Sequence, residues 1–186
     1  TPRAVKQREE FMVGCHEIEL TAMQKADAVE FFHKQGIKGN RAEIESACEP
    51  YGYHPLSLRL LAGRILKDFQ NPGDIAVAQK LKIDGDIIQQ KHHVLEVSYN
   101  SLPEQEKKLL GIIAWFRSPV EYQTLQSIVE NKNTLDTELN DLIERGILYR
   151  ATRLISIFDL HPIVRRFAYN RLTAADRTGA HERLVN

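Results

Sequence analysis

Two short stretches carry side chains suited to holding a ligand. Leu160-His161-Pro162 sits between a short β-run and an amphipathic helix near the C-terminus, and Tyr51-Gly52-Tyr53-His54-Pro55-Leu56-Ser57-Leu58 lies about a hundred residues upstream. Each places an imidazole beside a proline at the start of a predicted helix. An imidazole donates and accepts hydrogen bonds and changes charge near physiological pH. At a helix start it joins backbone N–H groups that favour anions. Proline has no N–H to satisfy and presents a compact apolar face. Neither stretch is catalytic by itself. Taken singly, His161 also reads as a helix cap or a partner for a core carbonyl, and Pro55 as an ordinary first-turn proline.

Other chemistry is missing. The ten glycines are scattered and form no G-x-x-x-x-G-K-S/T phosphate loop. There is no H-E-x-x-H and no G-x-S-x-G nucleophile elbow. His92 and His93 are adjacent, so on a helix they point about 100° apart and do not readily share one metal ion. Cys15 and Cys48 have no metal-ligand spacing and are too few for a disulfide framework. A catalytic site within this chain is not expected.

The chain has 186 residues, 42% of them hydrophobic, enough to bury a real core. Lys plus Arg and Asp plus Glu number 25 each, so no overall field attracts nucleic acid or anionic membrane. No apolar run approaches a membrane span and no signal-peptide layout opens the chain. A reducing cytoplasm is the expected compartment. The chain starts Thr1-Pro2-Arg3 without an initiating Met, as expected of an excised piece.

The elements that must position the two stretches read as mainly helical. Residues 13–20 alternate as a short strand. Thr21 is expected to cap a helix to about Gln35, with Ala22, Ala26, Val29 and Phe32 inward. Helices follow over 41–49, from Pro55, and briefly to about Lys82. A further helix spans 87–100. Ser101, three residues before Glu104, is a candidate cap for helix 103–116. Helices 119–130 and 134–145 come next, then β-runs 147–150 and 155–159, helix 161–172 and a last helix from about Thr173. Three helices followed by a β-ribbon is the winged-helix order. The expected fold class is therefore mainly α, a small helical bundle followed by a winged-helix domain with a short β-ribbon. The divisions are 1–20 as the end of another domain, 21–86 as the bundle, 87–173 as the winged helix and 174–186 as the start of a further helical region.

Winged helices often read DNA with their third helix, which asks for Lys and Arg. Here helix 134–145 carries Asp136, Glu138, Asp141 and Glu144 against Arg145, a net −3 that phosphates repel. Arg150 and Arg153 on the wing are a modest basic pair. A winged-helix DNA-binding transcription regulator is thus the rival reading, and a purely structural helical adaptor a third.

Three segments resemble the STAND signalling ATPases of the NB-ARC class. Tyr53-His54-Pro55-Leu56-Ser57-Leu58 is similar to the family's G-x-P motif, with Tyr53 where the family has Gly. Val94-Leu95-Glu96-Val97-Ser98-Tyr99-Asn100-Ser101-Leu102-Pro103 resembles the stretch leading into its winged helix. Phe158-Asp159-Leu160-His161-Pro162-Ile163-Val164-Arg165 resembles its M-H-D segment, with Pro162 where the family has the Asp that orients the His. Thr1-Pro2-Arg3 is similar to the end of a sensor segment whose Arg senses the γ-phosphate. The resemblance implies that Pro55, with Tyr53 and His54, lies at the adenine, that His161 reaches the β-phosphate of ADP, and that Arg3 is a nucleotide sensor. It implies ADP or ATP, with Mg in the intact protein, held between this lid and an upstream P-loop domain. A downstream sensor domain would trigger exchange and homo-oligomer assembly. The chain alone is expected to bind nucleotide weakly and hydrolyse none.

Overall fold

The computed structural model describes residues 22–81, 85–151 and 156–173, together with Thr178 and Glu182. Arg3, the strand expected over 13–20, Arg153 and most of the last expected helix lie outside the described residues. Within them the chain is mainly helical, with one small antiparallel sheet. No helix among them is long and apolar enough to cross a membrane.

Helix α1 (Lys25–Lys34) starts later than the sequence suggested. Gln24 occupies its N-cap without a side-chain bond, and Ala22 precedes the helix. Its buried face is Ala28, Val29 and Phe32, while Ala26 is exposed. Helix α2 (Arg41–Cys48) opens with a capping box: Asn40 accepts from the Glu43 N–H at 3.0 Å and Glu43 accepts from the Asn40 N–H at 2.8 Å. A 3₁₀ turn (Glu49–Tyr51) leads into helix α3 (Pro55–Leu66), with Pro55 in its first turn. After the short helix α4 (Val77–Lys80), Asp86 and Gln89 form a second capping box for helix α5 (Ile87–Asn100).

Helix α6 (Glu104–Trp115) has Pro103 at its N-cap. Ser101 is not its cap; it ends α5, and its hydroxyl donates to the Ser98 carbonyl at 2.9 Å. The expected helix 119–130 divides into strand β1 (Val120–Glu121) and helix α7 (Tyr122–Ile128). Helix α8 (Leu135–Glu144) is followed by β2 (Leu148–Arg150), β3 (Ile157–Leu160) and helix α9 (Pro162–Tyr169). The sheet runs β1-β3-β2, so the expected ribbon gains a third strand. Val120 pairs with Phe158 and Leu148 with Leu160. This is a helical bundle with a winged-helix-like end.

One buried cluster runs through both parts. Phe32, Ile44, Leu58, Leu61 and Ile65 fill the bundle, and Leu110, Ile113, Leu139, Leu148 and Val164 fill the winged-helix-like end. Helix α3 joins them. A Cβ at Gly63 would fall on the Arg145 carbonyl, so α3 and the end of α8 meet backbone to backbone. Gly146, with φ +73°, ends α8, and a Cβ there would lie 2.8 Å from the Arg59 carbonyl oxygen. Beside this joint Lys67 bridges Asp141 at 2.8 Å and Glu144 at 2.5 Å. The acids of α8 therefore dock it on the bundle.

Candidate functional site

The upstream stretch begins with a backbone turn of unusual hand. Gly52 and Tyr53 both have positive φ, +57° and +52°. Glycine takes that conformation freely; a tyrosine there costs about 1–2 kcal/mol. Tyr53 is held by its neighbours. Its hydroxyl donates to the Glu45 carbonyl at 3.1 Å, its carbonyl accepts from the Met23 N–H at 3.0 Å, and the Lys25 ammonium lies 5.8 Å from its ring centre. The turn delivers His54 to the N-cap of α3 and leaves Pro55 exposed. His54 is half-buried, and its Nδ1 has no hydrogen-bond partner among the described residues. Burial lowers its pKa from the ordinary value, helped by the charges of Lys91 and His161.

His161 caps α9 through its ring. Nδ1 accepts from the Ile163 N–H at 3.3 Å, a long bond. An accepting Nδ1 puts the ring proton on Nε2, which is left as the donor. A backbone N–H two residues on thus selects the ring tautomer. Burial lowers the His161 pKa as well, so a neutral ring is the form present at neutral pH. Asp159 does not orient His161. It accepts from the Leu160 N–H at 2.8 Å and the Tyr149 hydroxyl at 3.0 Å, and pairs with Arg165.

Arg59 brings the two stretches together. It lies on α3 little more than a turn beyond Pro55, and its Nη2 donates to the Leu148 carbonyl at 2.8 Å. Its guanidinium also sits 5.7 Å from the Tyr149 ring centre. Leu148 pairs with Leu160, the residue before His161. The chain of contacts Arg59, Leu148, Leu160 therefore sets the start of α9 beside the start of α3. His54 and His161 end within electrostatic reach of each other. Around them Pro55, Ile87 and Ile163 are exposed, the two isoleucines by 47% and 45%. That is a polar centre with an apolar border, open to solvent. A groove of about 530 Å³ bordered by Lys38, Ser46, Tyr51 and Asp74 lies elsewhere and includes neither histidine.

Of the residues singled out by sequence, His54, Pro55 and His161 lie at the two helix starts that Arg59 links, the Tyr53 side chain is turned toward Glu45 and Lys25, and Arg3 is outside the described residues. Sequence reasoning missed Lys91 and Arg59. Arg59 carried one signal, a charged residue in the otherwise apolar run 58–63.

The fold and the open two-histidine face define a helical module with a winged-helix-like end. Among solved structures, the chain is similar to a signal transduction ATPase with numerous domains (STAND) from Pyrococcus horikoshii, which carries a tetratricopeptide repeat sensor. The two share 19% identity with a TM-score of 0.68, over 93% of this chain and 23% of that one. At that identity the likeness is one of fold, and the chain spans about a quarter of its neighbour's length. No protein-family model and no curated protein matches the sequence.

Proposed function

We propose that this chain is the nucleotide-sensing lid of a STAND-class signalling ATPase of the NB-ARC type. The observation that carries the reading is the convergence of His54-Pro55 and His161, 107 residues apart in sequence, on one open face. In the intact protein an upstream P-loop domain would hold ADP or ATP with Mg. Pro55 and Tyr53 would border the adenine, and neutral His161 would donate through Nε2 to the β-phosphate. The exposed apolar border would be covered by the P-loop domain. ADP bridging lid and P-loop domain would hold the closed state. A signal on a sensor domain, exchange for ATP and assembly into a homo-oligomer in the cytoplasm would follow, a switch biased by differential nucleotide contacts. The DNA-binding reading loses support because the end of α8 is docked on the bundle, where Gly63 meets the Arg145 carbonyl and Lys67 pairs with Asp141 and Glu144.

The test is the nucleotide content of the natively purified parent protein, with His161→Ala in parallel. Denaturation and chromatography should release near-stoichiometric ADP from the wild type and less from the variant. No nucleotide in either would sink the reading and leave His161 a helix cap.

A further inference from the structure

Helix α5 carries a cation to the histidine face. A Cβ at Gly52 would lie 3.3 Å from Ile87 Cγ2, so the first turn of α5 rests on the Gly52-Tyr53 turn. Lys91 stands one helical turn beyond Ile87, on the same side of α5. It is half-buried, and among the described residues no carboxylate lies within ion-pairing distance of its ammonium. After burial, its charge is the next cause of the lowered His54 pKa, which places it within electrostatic reach of that ring.

The two histidines do not supply charge here. Both are pushed below the ordinary histidine range, so at neutral pH each offers a hydrogen bond and no net charge. A polyphosphate needs more than neutral donors.

We propose that Lys91 is a third ligand-binding residue of this face, and that its ammonium supplies the fixed positive charge that meets the phosphates of the bound nucleotide. The proposal rests on the nucleotide reading above. Its consequence is a division of labour by pH. At pH 8 the anion is held by Lys91 with two neutral imidazoles; below the histidine pKa values the imidazoliums add charge of their own.

The experiment follows the histidine ring resonances of the 186-residue chain by NMR during anion titration. Inorganic pyrophosphate is the probe at pH 8. Sulfate, whose charge is constant across the range, is used at both pH 8 and pH 5.5. Wild type, Lys91→Gln and Lys91→Arg are compared, and their spectra report that each is folded. The expected result is that anion shifts His54 and His161 in the wild type, with millimolar affinity. Lys91→Gln should weaken binding about tenfold at pH 8, and less at pH 5.5 to the extent that the histidine resonances report protonated rings there, as expected for loss of a charge-assisted hydrogen bond. Lys91→Arg should keep most of the affinity. Equal affinity in wild type and Lys91→Gln at pH 8, or no histidine response in the wild type, overturns the assignment of Lys91. Neither result decides the switch reading, which stands or falls on the nucleotide content of the parent.

Discussion

Glu106→Gln should stabilise this protein by an amount that grows as pH rises from 4.5 to about 7. Glu106 lies on α6 with 7% of its surface exposed, and its Oε2 has no hydrogen-bond partner among the described residues. Burial, then the charge of Asp141, pushes its pKa from 4.5 up to about 7; Arg145, with Nε 3.9 Å away, pulls the other way. Asp141 is on the opposite course. Burial raises it, but hydrogen bonds from Lys67 and Arg145 outweigh that and leave it lowered. Because the folded pKa of Glu106 is above the unfolded one, the native state binds more protons between pH 4.5 and about 7, and stability falls as pH rises through that window. A rise of this size corresponds to about 3 kcal/mol at pH 8. That rise is already net of the Arg145 attraction, which acts to lower the pKa. The gain for Glu106→Gln is therefore about 3 kcal/mol at pH 8, or roughly 6–12 °C in Tm for a chain of this size. At pH 4.5 the gain should vanish. Urea denaturation of wild type and variant at pH 4.5, 6, 7 and 8 measures it. Equal stability differences at pH 4.5 and pH 8 would refute the argument, because a packing effect has no reason to titrate.

Other perturbations have equally definite outcomes. Gly63→Ala puts a methyl on the Arg145 carbonyl and must force α3 off α8, so a loss of about 2–3 kcal/mol is expected in urea denaturation. Tyr53→Gly relieves about 1–2 kcal/mol of backbone strain but loses the bond to Glu45 and some chain stiffness, so it should change stability by less than about 1 kcal/mol; Tyr53→Val, which keeps the strain and loses the bond, should cost about 2 kcal/mol. His54 and His161 have folded pKa values below the unfolded one, so the unfolded state binds more protons just below pH 6.5, and stability is lost as pH falls through their titration; His161→Asn should flatten that part of a Tm-against-pH curve. Arg59→Met removes the bond to Leu148 and the contact with Tyr149, costing about 1–2 kcal/mol in denaturation, and should lower retained nucleotide in the parent by loosening His161 relative to Pro55.

The helical character and the winged-helix order were legible because apolar periodicity and Pro/Gly punctuation are local signals. What failed was set by distant partners. Pro119 looked like a helix start, but Val120 and Glu121 are claimed by Phe158 and Ile157, nearly forty residues on. Ala26 fits the helical stripe of α1 as well as Ala28 does, and only packing chooses Ala28. Ser101 has the spacing of a capping box with Glu104, yet its hydroxyl turns back to Ser98. At the candidate site the sequence named the histidines but not their state. The His161 tautomer depends on the Ile163 N–H, and the lowered pKa values depend on burial. Lys91 carries no local signal, because only the packing of Ile87 on the Gly52 turn brings its stretch of α5 toward His54.

The openness of the histidine face fits a lid better than a binding site complete in itself. A ligand shifts a two-state equilibrium only by its difference in affinity for the two states. If this chain gripped nucleotide tightly alone, the grip would survive opening and would contribute nothing to the choice between closed and open. Weak, partial contacts have the opposite property: they count only while a second domain presents the nucleotide to them. In the proposed lid, a neutral Nε2 donor from His161, an exposed proline and the Lys91 ammonium, unpaired among the described residues, would be contacts of that kind. The firm interactions of the chain lie behind the face, in the Gly63 joint and in the link from Arg59 through Leu148. They keep His54 and His161 at a fixed spacing, so in the proposed lid the face would engage or leave a nucleotide as one body.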